Sequence, residues 1–277
     1  MHIILPVIIV FAIVAVVLFL KAPGASARAE MEPFCQVPIA HRGYFDNGSN
    51  APENSLAAFQ AAIDHGYAIE LDVQLTADGT PVVLHDRDLV RSSGVHENVS
   101  DMTDAELAKC RLFGTDEKVP TFAEVLDLID GQVPVLVEIK GEVGDDTDAI
   151  SSAAAEVLDE YDGVYAVQSF NPLALKWFKD NRPDVTRGLL CRDYIADGLT
   201  DNAFSRIVLT AQLTNFLARP NFISYELSSD DQVTFKAIQY FTDLPCLAWT
   251  LKSQDDLDRA RTDGFDGFIF DSFEAKR

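Results

Sequence analysis

The chain has 277 residues, 48% of them hydrophobic, enough for one large domain with a full core. Its 22 Lys and Arg stand against 44 Asp and Glu, a formal net charge of -22. That balance argues against a nucleic-acid partner, whose affinity comes mainly from cations neutralising phosphates, but it leaves room for a small anion held at a local positive site.

The first segment, Ile3 to Leu20, carries no charge and is just long enough to span a bilayer as a helix. A cleaved signal peptide is the rival, with Ala25 to Ala27 as its cleavage site. Against it, no Lys or Arg precedes the apolar run, and the run is long for a signal core. The expected organisation is a single-pass anchor over residues 1–20, a linker over 21–34 and a catalytic domain over 35–277. Lys21 and Arg28 follow the apolar run, so the positive-inside bias puts that domain on the cytoplasmic side, with an exported domain as the alternative.

Beyond the linker, short apolar runs alternate with amphipathic helices. The expected strands are 37–40, 68–73, 81–85, 133–139, 164–168, 185–190, 222–226, 246–249 and 267–270. The helix that starts at Asn54 or Ser55 shows Leu56, Phe59 and Ile63 on one face and stops at Gly66. Thr121 and Glu124 form a capping box for the helix after them. Strand and helix alternating over some 240 residues predict an α/β fold, a (β/α)8 TIM barrel. Nine strands are one too many. The link from Val73 to Pro81 is too short for a parallel crossover, so that pair is expected to form a hairpin.

Four cysteines, Cys35, Cys110, Cys191 and Cys246, are scattered without a C-x-x-C pair. Neither a disulfide framework nor a cysteine zinc site is expected, and buried free thiols are the plainer reading.

The stretch "YAIELDVQLTADGTPVVLHD" carries the chemistry. Glu70 and Asp72 alternate onto one face of a strand that otherwise looks buried. Two close carboxylates repel unless a cation compensates. They either pair with a buried Lys or Arg or supply oxygen ligands to Mg²⁺ or Ca²⁺. "LVEIK" adds Glu138, with Lys140 on the same face as a cation suited to a phosphate oxygen. His41 and Arg42 end one strand and His85 ends another. Two histidines at strand ends suit general acid and base. Trp249, also at a strand end, either lines the pocket or packs in the core. His65 reads as a helix C-terminal cation, and "DDTD" at 145–148 as a solvated helix start.

In this order, "AHRG", "PENS", "ELDVQLTADGTPVVLHD", "PTFAEVL" and "VEIK" resemble the glycerophosphodiester phosphodiesterase family, barrel phosphodiesterases of the phospholipase C-like superfamily. The match is dense from Ile39 to Lys140, with later traces in "QSFNP", "AWT" and "DGFIFD". The resemblance implies a phosphodiesterase using a divalent cation. Glu70, Asp72 and Glu138 would be its ligands and His41 and His85 the acid–base pair. Arg42 and Lys140 would hold the phosphate. Glu53, from "PEN", would be a ligand, an outer partner of the ligands, or an anchor for its loop. "ENS" replaces the commoner ENT, Lys252 stands where Asn is frequent, and Phe270 where Thr or Ser is usual. The expected reaction splits a glycerophosphodiester into sn-glycerol 3-phosphate and an alcohol. The alternatives are a lysophospholipase D acting on membrane lysolipids and a non-catalytic phosphodiester-binding protein.

Overall fold

The computed structural model describes residues 16, 21–141, 146–197, 203–271 and 273–276. The expected anchor, apart from Val16, falls outside them. Among the described residues, no helix is long and apolar enough to cross a membrane.

Eight parallel strands close a barrel. They are β1 (Ile39–Ala40), β2 (Ala68–Leu75), β6 (Val135–Ile139), β7 (Tyr165–Ser169), β8 (Arg187–Cys191), β9 (Phe222–Glu226), β10 (Cys246–Leu251) and β11 (Gly267–Phe270). Each pairs with the next, and β1 pairs with both β2 and β11, which closes the ring. The ninth expected strand is β3 (Pro81–Val83), antiparallel to β2 through Val73↔Val83, so the short link does make a hairpin. A small ribbon, β4 (Asp88–Leu89) and β5 (Val95–Asn98), lies in the long excursion before β6. The excursion has its own core around Leu89, Val99, Leu107 and Leu112.

Side-chain alternation builds the barrel in layers. Ile69, Leu71 and Val73 of β2 pack outward with Val135, Val137 and Ile139 of β6 and the apolar faces of the helices. Inward at the N-terminal end, Ile39, Ala68, Leu136, Ala166, Phe222, Leu247 and Ile269 form an apolar layer. Two residues further along β2, β6, β7, β9 and β10 stand Glu70, Glu138, Gln168, Ser224 and Trp249. One strand pattern therefore gives an apolar floor and a polar upper layer.

The floor is plugged by a helix that begins in the stretch expected to be a linker and runs two residues beyond it. Helix α1 (Arg28–Gln36) buries Met31 and Phe34, which pack on the apolar layer together with Ala27. Small and charged residues with Pro33 conceal it in the sequence, because its apolar face holds few side chains. Around the barrel follow α2 (Leu56–His65), α3 (Phe122–Ile129), α4 (Thr147–Leu158) and α5 (Pro172–Asn181). The last four are α6 (Ala203–Thr210), α7 (Asn215–Ala218), α8 (Val233–Phe241) and α9 (Gln254–Thr262). Ser55 caps α2 by accepting from the Ala58 N–H, and Gly66 ends it at φ 65°. His65 Nδ1 lies 2.8 Å from the Ala61 carbonyl in its last turn. Thr121 and Glu124 form the expected capping box of α3. Asp146 caps α4, so the "DDTD" stretch does lead into a helix. All four cysteines are free thiols; Cys110, Cys191 and Cys246 are buried and Cys35 is half-buried.

Candidate active site

Register brings the three carboxylates together. Asp72 and Glu138 are direct partners across β2 and β6, and Glu70 lies two residues before Asp72 on the same face. One oxygen from each falls within 4.8 Å of the others, and all three residues are buried. Lys140 Nζ sits 2.8 Å from Asp72 Oδ1 and donates to Glu138 Oε1 at 2.6 Å. Asn54 Nδ2 donates to Asp72 Oδ2 at 2.8 Å, and the Arg42 backbone N–H donates to Glu70 Oε2 at 3.1 Å.

The charges do not balance internally. Burial, then the neighbouring Asp72 and Glu138 carboxylates, push Glu70 well above the usual carboxylate range. Burial also raises Glu138, against the pull of Lys140. Burial opposes ionisation of Asp72 too, but the positive field of Lys140, then Arg42, outweighs it and holds Asp72 far down. One internal lysine thus serves Asp72 and Glu138 and leaves Glu70 without enough compensation. Three converging carboxylate oxygens suit a hard divalent cation, whose charge would allow all three to ionise. A buried lysine is present, and the Glu70, Asp72 and Glu138 oxygens are consistent with a divalent cation site.

The histidines flank the cluster. His41 Nε2 faces Glu70 Oε2 at 4.0 Å, and Nδ1 lies 3.5 Å from Asp271 Oδ2. Burial lowers its pKa, against the opposing effect of Asp271. His85 Nδ1 is 2.7 Å from Asp86 Oδ1. A carboxylate only accepts, so Nδ1 carries the proton and Nε2 is left for the cavity.

Glu53 is not among the clustered carboxylates. It accepts from Arg91 through both oxygens (2.7 and 2.6 Å), from Arg42 Nη1 at 2.7 Å and from Asn47 Nδ2 at 2.8 Å. Burial works against its charge, but these donors win and hold the carboxyl at about 2. Arg91 also donates to Asp86 at 2.6 Å, so one arginine ties Glu53 to the partner of His85. Glu53 is thus paired with Arg42 and Arg91 and stands apart from the three clustered carboxylates. The backbone here is forced: Arg42 and Asn54 are left-handed (φ 58° and 57°), and the Asn54 N–H bonds the Arg42 carbonyl at 2.9 Å. Gly43 follows at φ 81°, where a Cβ would meet the Ala58 carbonyl carbon at 2.9 Å, which explains the glycine after "HR".

A cavity of about 150 Å³ opens at the C-terminal end of the barrel. His41, Arg42, Glu70, His85, Glu138 and Trp249 line it, so six of the expected site residues share one wall space. Asp72 and Lys140 lie beside it rather than on it. Sequence reasoning gave no role to Gln168, Phe170, Arg192 or Asp271. The Arg192 guanidinium stacks 4.8 Å from the Phe170 ring centre and 5.4 Å from that of Trp249. Gln168 accepts from the Ser224 hydroxyl at 2.7 Å. Each of these side chains lies at or just beyond the C-terminal end of a strand. That is the positional signal a barrel offers for functional residues.

A family profile described as "Glycerophosphoryl diester phosphodiesterase family" matches residues 41–275. A glycerophosphodiester phosphodiesterase of Caldanaerobacter subterraneus is 30% identical over 246 residues, covering 85% of this chain and 94% of its own. A rat (Rattus norvegicus) lysophospholipase D is 36% identical over 136 residues, covering 44% of this chain and 42% of its own. Among solved structures, a phosphodiesterase of Oleispira antarctica in complex with the product sn-glycerol-3-phosphate superposes with a TM-score of 0.70 at 25% identity. It covers 86% of this chain and 94% of that one. The chain belongs to the glycerophosphoryl diester phosphodiesterase family, and it is a phosphoric diester hydrolase of that type.

Proposed function

We propose that this chain hydrolyses glycerophosphodiesters to sn-glycerol 3-phosphate and an alcohol at the Glu70–Asp72–Glu138 cluster. The observation that carries the reading is a cluster of three buried carboxylates, two of which, Glu70 and Glu138, line one cavity together with His41 and His85. When bound there, Mg²⁺ or Ca²⁺ would supply Lewis-acid polarisation of the phosphoryl oxygens.

The chain's own residues supply the rest. Arg42, fixed by Glu53, points a permanent cation at the cavity where the phosphodiester charge would sit. Lys140 pairs with both Asp72 and Glu138, which keeps Asp72 ionised and holds the two carboxylates in place. His41, kept neutral by burial, is suited to take a proton from the attacking hydroxyl at Nε2. His85, which donates from Nδ1 to Asp86, would enter the step as the imidazolium, give its Nε2 proton to the leaving alcohol and end neutral, while His41 ends protonated. The attacking hydroxyl is water, or the substrate's own glycerol hydroxyl by way of a cyclic phosphate.

A second reading, release of the head group from lysolipids, draws support from exposed Ile195 and Phe204 on the connection that leaves β8 at the catalytic end. The test is release of glycerol 3-phosphate from glycerophosphocholine, glycerophosphoethanolamine and glycerophosphoglycerol, beside head-group release from the matching lysolipids. Turnover of the water-soluble series supports the first reading. Turnover of lysolipids alone supports the second.

A further inference from the structure

We infer that one flank of the barrel, formed by α6 and α8 in the connections on either side of β9, lies against a lipid bilayer. Two independent observations converge there.

The first is how residues 21–28 run. Asn215 Nδ2 donates to the Lys21 carbonyl at 3.2 Å, Arg219 Nη1 donates to that of Ala22 at 3.1 Å, and the Gly24 N–H bonds the Pro220 carbonyl at 2.8 Å. Ser26 Oγ then donates to the Asp243 carbonyl at 2.6 Å, and Arg28 pairs with the Asp243 carboxylate at 2.7 Å. The segment is thus clamped to the β8–β9 connection and then to the β9–β10 connection. Immediately before Lys21 the sequence has its uncharged apolar run, Ile3 to Leu20. Whatever that run enters lies beside these two connections.

The second is their composition. Among the described residues, six of the ten exposed large apolar side chains lie here: Ile195, Phe204, Ile207, Val233, Tyr240 and Phe241. Phe204 and Ile207 are one turn apart on α6, and Val233, Lys236 and Tyr240 share a face of α8. Three exposed residues are 80% accessible or more, far beyond the scatter expected of single surface hydrophobics. The chain has 44 Asp and Glu, yet "AFSRIVLT" and "VTFKAIQYF" contain none; their charged residues are Arg206 and Lys236. On these two helices, apolar and aromatic side chains with a basic residue and no carboxylate suit the bilayer interface, and the described carboxylates of the same connections, Asp193, Asp197, Asp230, Asp231 and Asp243, lie outside them.

Tethering alone would not orient the flank, so the test reads depth at single positions. Full-length protein carrying Ile207→Cys, Tyr240→Cys or Val90→Cys is reconstituted into phosphatidylcholine vesicles and labelled with a small fluorophore. Val90 is also exposed, but its excursion leaves β2, opposite β9 in the ring. Native thiols give little background at neutral pH. Burial raises Cys35 to about 11 and Cys246 to about 12, and Cys110 and Cys191 are buried and also raised. Nitroxide-bearing lipids should quench the labels at 207 and 240 severalfold more than the label at 90. Equal quenching at all three positions, or none at 207 and 240, would overturn the proposal. So would full accessibility of both labels to an aqueous quencher, or a lipid-free dimer that shields both.

Discussion

Glu53 offers the sharpest test of how the site is held. Glu53→Gln keeps the shape and removes the charge that Arg42 and Arg91 share. A carboxyl held at about 2 instead of its usual 4.5 favours the folded ion by roughly 3 kcal/mol, in line with the cost of breaking a buried ion pair. The folded-state pKa is depressed, so this stability is fully present above about 4.5 and is lost as pH falls from 4.5 towards 2. Urea unfolding at pH 7 should show the variant about 3 kcal/mol less stable than wild type, with a melting temperature lower by roughly 6–12 °C. Between pH 4.5 and 2 the wild type should lose that margin and the two curves should converge. Turnover should fall as well, because Arg42 loses the partner that fixes it beside Glu70. A variant within about 0.5 kcal/mol of wild type at pH 7, or a gap that persists at pH 2, would refute the reasoning.

Three further outcomes are expected. His41→Ala and His85→Ala should each reduce kcat on a glycerophosphodiester by roughly 10²–10⁴-fold while leaving circular dichroism unchanged, and near-normal turnover in either would remove that residue from the reaction. Asp86→Asn removes the carboxylate that orients the His85 ring, so kcat should fall with little change in KM, where a purely structural role would alter stability alone. Arg192 occupies the aromatic faces of Phe170 and Trp249 that could otherwise receive a quaternary ammonium. Arg192→Leu should therefore improve kcat/KM for glycerophosphocholine relative to glycerophosphoglycerol by roughly tenfold, and an unchanged ratio would exclude it from head-group choice.

The barrel was legible because its parallel strands are buried on both faces and read as short apolar runs between capped helices. The same runs exposed Glu70, Asp72 and Glu138 as polar interruptions, and the seven-residue link gave away the β2–β3 hairpin. What stayed hidden depends on closure. Helix α1 has few apolar residues and becomes recognisable only against the floor it plugs. Asp271 meets His41 because β11 returns to β1, and Arg192 meets Trp249 across β9, contacts between residues that sequence spacing does not relate. Glu53 stood out in "PEN", but its pairing with two arginines did not, because Arg91 comes from the excursion 38 residues later.

The most direct measurement is cation binding by the full chain and by Glu70→Gln, by calorimetry with Mg²⁺ and Ca²⁺, with hydrolysis followed in the same preparations after metal removal. Glu70 is the carboxylate left without enough internal compensation, so the wild type should bind one cation and regain hydrolysis with it, and the variant should lose both. Hydrolysis that survives chelation, or a variant that binds the cation as tightly as wild type, would contradict the assignment of these three carboxylates as a metal site.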